Sequence, residues 1–192
     1  SRLKINLYKS FFKPILFRFD PENVHNWMTS LGEFLGSNGL TRSAVSLIYN
    51  YRGPSLAKTI DGNTYRTPFI LSAGFDYNAR LTQILPMIGL GGAEVGSVTA
   101  RPCAGNPRPR LRRLPRSQSI LVSKGLRNEG VEKIVARLAK RSRAKDFVIG
   151  ISLARTNDAQ AADVEVGIED YCTRLKHCLA HDVGDYYTLN IS

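Results

Sequence analysis

Cysteine is scarce in these 192 residues: there are three, Cys103, Cys172 and Cys178. An odd number without metal-ligand spacing argues against a disulfide framework or a zinc site and fits a reducing cytosolic compartment, with the thiols acting as small buried apolar residues. Acids are scarce too, 16 against 27 Lys and Arg, for a net charge of +11. That excess points to a partner of opposite sign, whether nucleic acid, an anionic membrane or an acidic ligand, without choosing among them. Long apolar runs are missing as well. Lys4, Lys9, Lys13 and Arg18 interrupt the apolar start, so no stretch approaches the roughly 20 apolar residues of a spanning helix. What is present is 43% apolar content, enough for one domain with a buried core or for part of a larger one, and too much for disorder.

Three regions follow from patterning. Residues 1–40 read as a helical extension. Leu7, Phe11, Phe12, Ile15 and Phe19 are roughly helically spaced, and Pro14 starts or kinks that helix. Asp20 is the expected N-cap of a second helix with Pro21 at its first position and Val24, Trp27, Met28, Leu31 and Leu35 as a stripe that must face something apolar. Residues 41–67 read as a polar linker and a β-hairpin about Asp61-Gly62. In residues 68–192 the apolar runs PFILSA, AEVGSV, DFVIGISLA and DYYTLNIS alternate with helical runs, NARLTQILPMIGL, GVEKIVARLAKRSR and a segment around VGIEDYCTRLKHCL. Near-continuous apolar strands joined by crossover helices mark a parallel sheet, so the fold class is α/β. Four strands make either a small open sheet or half of a barrel, since a closed (β/α)8 barrel has eight strands.

Some residues carry chemistry only weakly. Six arginines and no acid lie between Arg101 and Arg116, but the run lacks interleaved aromatics and is stiffened by prolines. It is expected to be a solvated loop, or one paired with acids from parts of the protein beyond these residues, rather than a nucleic-acid patch. Lys133, Arg137, Lys140, Arg141 and Arg143 read as the wet face of a helix. His177 and His181 have metal-ligand spacing without a third ligand, and they and His25 are expected at the surface. The GLGG at 89–92 precedes its strand and so reads as a turn rather than a phosphate loop.

A longer-range pattern then emerges. EVGSVTARPCAGNPRPRLRRLP at 94–115, LSAGFDYNAR at 71–80, GISLARTN at 150–157, YYTLNIS at 186–192 and the early LYK and FDPENVH together resemble, in order and spacing, the amino-terminal half of quinone-dependent dihydroorotate dehydrogenases. The resemblance implies the first half of an FMN-containing (β/α)8 barrel that oxidises dihydroorotate to orotate in pyrimidine biosynthesis. It implies FMN contacts at Ala73, Gly74, Phe75, Asp76, Tyr77, Ser97, Ser152 and Asn190, and substrate contacts at Tyr77, Val122, Ser123, Lys124, Gly125, Leu126 and Asn190. Ala73 and Gly74 suit a flat ring because their backbone can approach it closely. It further implies a peripheral membrane location, on a bacterial cytoplasmic membrane or a mitochondrial inner membrane, with quinone entering between the N-terminal helices.

The chain departs from the family pattern at several positions. Tyr77 stands where the family has a Lys, Val122 and Arg127 stand where it has Asn, and Ser152 stands where an Asn meets the flavin; Gly125 and Asn128 are retained. Lys124 or Arg127 could restore the positive charge. The catalytic base, a Ser, is expected directly after Ser192, and four further strands complete the family's barrel, so these residues alone are expected to be inactive. Two alternatives stand beside this reading: a non-catalytic relative with the same scaffold, and a related FMN oxidoreductase with another flat acidic substrate.

Overall fold

A computed structural model describes residues 7–50, 56–158 and 163–191; Lys4 and Ser192 lie outside the described residues. Apolar runs become four parallel strands, β3 (Ile70–Leu71), β4 (Gly92–Val98), β7 (Val148–Ala154) and β8 (Tyr186–Asn190), ordered β3-β4-β7-β8 in one sheet. Every residue of β7 is buried, as expected for an inner parallel strand covered on both faces. The register runs Gly92 opposite Val148 and Gly150 opposite Tyr186. Among the described residues the outer edges of β3 and β8 pair with no strand, and the sheet does not close.

Helices cover it where their periodicity demands. Helix α4 (Val131–Ala139) turns Val131, Ile134, Val135 and Leu138 inward, a spacing that gives one apolar stripe. These meet Val95, Ile151 and Leu153 in the core, and each fully buried aliphatic side chain is worth about 2 kcal/mol of transfer free energy. Helix α5 (Val164–Ala180) begins at Asp163, whose carboxylate accepts from the Glu165 and Val166 amides at 3.0 and 3.1 Å. Arg174 within it is fully buried against the carboxylate of Asp170, which also accepts from the Thr156 amide at 2.8 Å.

Ahead of the sheet, β1 (Lys58–Ile60) and β2 (Asn63–Tyr65) form the expected hairpin, with Asp61 and Gly62 both at positive φ as a tight two-residue connection requires. The extension starts with a π-helical turn, Tyr8–Phe12, that runs into α1 (Lys13–Leu16). Helix α2 (Pro21–Ser37) is capped as expected, the Asp20 carboxylate accepting from the amides of Glu22 and Asn23 at 2.9 and 3.0 Å.

Several expectations are corrected. The run 78–90 holds only a 3-10 turn, Leu85–Ile88: Pro86 lacks an N–H, Ala79 sits at φ 55°, and Asp76 takes the amides of Arg80 and Leu81 at 2.8 and 2.7 Å. The polar stretch after residue 37 contains a helix, α3 (Gly39–Tyr49), started by the Asn38 side chain accepting from the Leu40 amide at 2.7 Å. The basic loop contains a hairpin, β5 (Leu111–Leu114) with β6 (Ser119–Val122). The α2 stripe is only half covered: Val24 is buried, while Trp27, Met28 and Leu31 are exposed. Of the cysteines only Cys178 is buried; Cys172 is exposed and Cys103 half-buried.

The basic residues are also less solvated than expected. Glu22, 2% exposed, takes Arg127 at 2.9 Å, Arg110 at 3.2 Å and Arg108 at 3.4 Å, and Arg101 pairs with Asp158 at 2.6 Å. On the supposed wet face, Arg137 bonds Glu129 and the Asn78 carbonyl, Arg141 bonds Glu33 and the Ala79 carbonyl, and Arg143 bonds Asp185. Lys133 and Lys140 are exposed.

Candidate active site

All four parallel strands run the same way, so their carboxyl ends share one end of the sheet, the place where open and closed parallel α/β folds bind ligands. A cleft of about 580 Å³ lies there. Its floor is small: Ala73 and Gly74 follow β3, and Gly96 and Ser97 lie in the end of β4. The Gly74 amide donates to the Gly96 carbonyl at 2.8 Å, tying these two strand ends together. Both glycines have positive φ, 95° and 110°, a region costly for other residues. A Cβ built on Gly74 would meet nothing within 4 Å, whereas one on Gly96 would lie 2.6 Å from the Ser152 carbonyl oxygen.

Three polar side chains from three strands converge on this floor. The hydroxyls of Ser97 and Ser152 are 2.8 Å apart, and the Asn190 amide donates to Ser97 Oγ at 2.9 Å. Each strand supplies one member by its register, Ser152 pairing with Thr188 and Ala154 with Asn190.

The wall comes from β6 and the loop after it: Val122, Lys124, Leu126 and Arg127 line the cleft together with Tyr77. Lys124 Nζ lies 4.6 Å from the centre of the Tyr77 ring and Arg127 Cζ 5.9 Å from it. Burial lowers the Lys124 pKa from its ordinary value, with Glu22 opposing the shift and Arg127 and Arg110 adding to it. Tyr77 also stacks on His25 of α2, ring centres 5.7 Å apart, and its hydroxyl donates to Asn26 at 3.4 Å. His25 is therefore half-buried rather than a surface residue, and burial, then Lys124 and Arg127, bring its pKa down to about 4.

Other expected contacts point elsewhere. Asp76 is buried and spends its carboxylate on the two amides of its own loop; burial pushes its pKa up against those bonds. Phe75 is exposed and packs edge-on against His25 at 4.8 Å. The Ser123 hydroxyl accepts from the Asn106 amide at 3.1 Å, and Gly125, at φ 66°, packs on Asn106. Asn128 is buried and braces the loop through Thr99, Leu126 and Gly130. Sequence reasoning passed over Glu94, which lines the cleft and accepts from the Tyr186 hydroxyl at 3.3 Å; burial and then Glu94 push Tyr186 up to about 12. An acid inside the apolar run AEVGSV was the available signal. Among the described residues no cluster of three or more His, Cys, Asp or Glu could hold a metal.

Fold and cleft together define a parallel α/β protein with a cleft at the carboxyl ends of its four strands. The chain belongs to the dihydroorotate dehydrogenase family, whose pattern matches residues 55–192. A dihydroorotate dehydrogenase (quinone) from a Synechococcus species is 34% identical over 98% of this chain and 49% of its own length. One from Acidithiobacillus ferrooxidans is 36% identical over 94% of this chain and 48% of its own. The crystal structure of a ligand-free DHODH from Eimeria tenella superposes with a TM-score of 0.72 at 28% identity, over 90% of this chain and 46% of that one. The chain thus spans about half the length of the relatives it matches.

Proposed function

We propose that this chain forms the first half of a quinone-dependent dihydroorotate dehydrogenase, which oxidises dihydroorotate to orotate in de novo pyrimidine biosynthesis. The observation that carries the reading is the cleft: small residues at the ends of β3 and β4, flanked by the Ser97–Ser152–Asn190 trio, on a chain whose relatives bear that name. These residues fit FMN. Open space above Gly74 admits a flat conjugated ring against the backbone, and the two hydroxyls and the amide offer donors and acceptors to its polar edge. Bound there, FMN would take up the two electrons and the hydrogen that the substrate gives up.

The chain's own residues bind, orient and exclude water. Ala73, Gly74 and Gly96 keep the floor clear, while Val122 and Leu126 make one wall apolar. Lys124 supplies positive charge, and Arg127 is held by Glu22. The base that takes a proton from the substrate carbon is assigned by resemblance to a serine following Ser192. Four more strands would cover the open edge of β8, so these 192 residues alone are inactive in this reading.

The quinone side lies at the extension. A second cleft of about 400 Å³ is lined by Phe17 and Phe19 ahead of α2 and by Leu111, Arg113 and Leu114 of β5. Its lining mixes apolar side chains with Asp20, Arg112 and Arg113, and it is where we place the quinone head. Among the described residues no helix is long and apolar enough to cross a membrane; the exposed Leu7, Phe11, Phe12 and Ile15 beside Lys9 and Lys13 suit the surface of one.

Tyr77 and Val122 in the cleft wall favour a second reading, a related FMN oxidoreductase that acts on another flat acidic substrate. The flavin absorbance of the full-length protein, before and after anaerobic dihydroorotate, separates these readings. Bleaching is expected. A yellow protein that stays yellow with dihydroorotate but bleaches with another compound supports the second reading, and a colourless protein would favour a scaffold without its cofactor.

A further inference from the structure

The cleft holds two cations, and they are not equivalent. Arg127 is committed: its guanidinium donates to Glu22 at 2.9 Å, and Glu22 is itself buried among three arginines. Lys124 is half-buried and, among the described residues, its ammonium makes no ion pair or hydrogen bond. Its recorded contact is the face of Tyr77 at 4.6 Å, an interaction worth only about 0.5–1 kcal/mol where water still reaches. A lysine can usually extend its ammonium into bulk water; here it is kept at the cleft wall beside an aromatic ring. Glu94, the acid that lines the same cleft, is engaged by the Tyr186 hydroxyl at 3.3 Å. Glu22 acts on Lys124 through space but is shared by three arginines in direct contact with it, so among the described residues Lys124 has no carboxylate of its own.

We infer that Lys124 is the counter-ion of the substrate's carboxylate, and that Tyr77 holds its ammonium in place as an aromatic platform. This rests on the dihydroorotate reading, in which the substrate carries one carboxylate on a flat ring. It assigns that role to Lys124 and not to Arg127, whose guanidinium is already held in a direct ion pair with Glu22. An anionic group of the cofactor is the other source of negative charge, and the test separates the two.

The experiment is orotate binding to the flavin-loaded full-length protein, followed by calorimetry and by the shift of the flavin spectrum, for wild type, Lys124→Met and Lys124→Arg. The neutral amide of orotate serves as comparison ligand. Lys124→Met is expected to keep its flavin and to bind orotate about 10- to 100-fold more weakly, the range of a charge-assisted hydrogen bond. Its affinity for the amide should change little, and Lys124→Arg should recover most of the orotate affinity. With dihydroorotate, KM should rise more than kcat falls. Undiminished orotate binding in Lys124→Met overturns the inference, as does equal loss of orotate and amide. Loss of flavin from that variant overturns it too, because the cation would then serve the cofactor. Wild-type protein that binds flavin and ignores orotate overturns the parent reading instead and takes this one with it.

Discussion

Glu22 and His25 sit one turn apart on α2, and each answers to residues far along the chain. Removing the charge of Glu22 would leave Arg108, Arg110 and Arg127 crowded around a buried neutral group. Breaking such a buried network typically costs about 3–5 kcal/mol, so Glu22→Gln should lower the thermal midpoint of the full-length protein by several degrees, and the loss should be largely insensitive to salt. An unchanged midpoint would show that water replaces the carboxylate. His25 offers a pH test. Its pKa in the fold, about 4, lies below the ordinary 6.5 because burial and the neighbouring Lys124 and Arg127 penalise the cation, against a partly compensating Glu22. A depressed pKa means the stabilisation is full above about pH 6.5 and is lost as pH falls toward 4. His25→Gln should flatten that part of the stability profile; parallel profiles for variant and wild type would remove His25 as the cause. Neither residue was legible as buried in the sequence. An acid in a helix's first turn is ordinarily a solvated partner of the helix dipole, and nothing local shows that a loop 88 residues away supplies its arginines.

At the scale of elements, the inner strands β4 and β7 were legible because inner parallel strands are largely apolar, while β8, a half-exposed edge strand, was placed by its alternation with the helices. Failures came where apolar spacing and local chemistry disagree. Residues 78–90 have helical spacing, but the Asp76 carboxylate and Pro86 give the backbone another solution, while α3 is started by one Asn38 side chain and hidden by polar residues. That Ser97, Ser152 and Asn190 meet was suggested only by resemblance, since three single polar residues on three strands carry no local signal. The join between α5 and β7 makes a sharp test. Asp170 accepts from the Thr156 amide and neutralises the fully buried Arg174, whose Nε and one terminal nitrogen find no hydrogen-bond partner among the described residues. Asp170→Asn should destabilise by about 3 kcal/mol by leaving that guanidinium unpaired, whereas Asp170→Asn with Arg174→Met should lose less, because a buried pair can be exchanged for apolar packing at small cost. Chemical denaturation of both variants checks the order, and a double variant as unstable as the single one would refute it.

For the whole molecule, two of the exposed apolar surfaces among the described residues answer to different neighbours. Along β8, Leu189 and Ile191 are exposed beside an open strand edge, and backbone groups left unpaired there call for another strand. The extension is different: its exposed Leu7, Phe11, Phe12, Ile15 and Phe17 lie on helical turns rather than a strand edge, interleaved with Lys9, Lys13 and Arg18. Apolar side chains ringed by cations, without a demand for strand pairing, fit an anionic lipid surface better than a protein edge. Sedimentation of the full-length protein with vesicles of mixed neutral and anionic phospholipid should therefore show binding that weakens with salt. Replacing Phe11 and Phe12 by Glu removes two aromatic side chains from the contact, each worth about tenfold in partitioning on the scale of side-chain burial, and should abolish co-sedimentation while the flavin content stays the same. Binding that survives both added salt and the double substitution would mean that the extension meets another protein surface, and the proposed quinone cleft beside Phe17 and Leu111 would then have to be reached from that side.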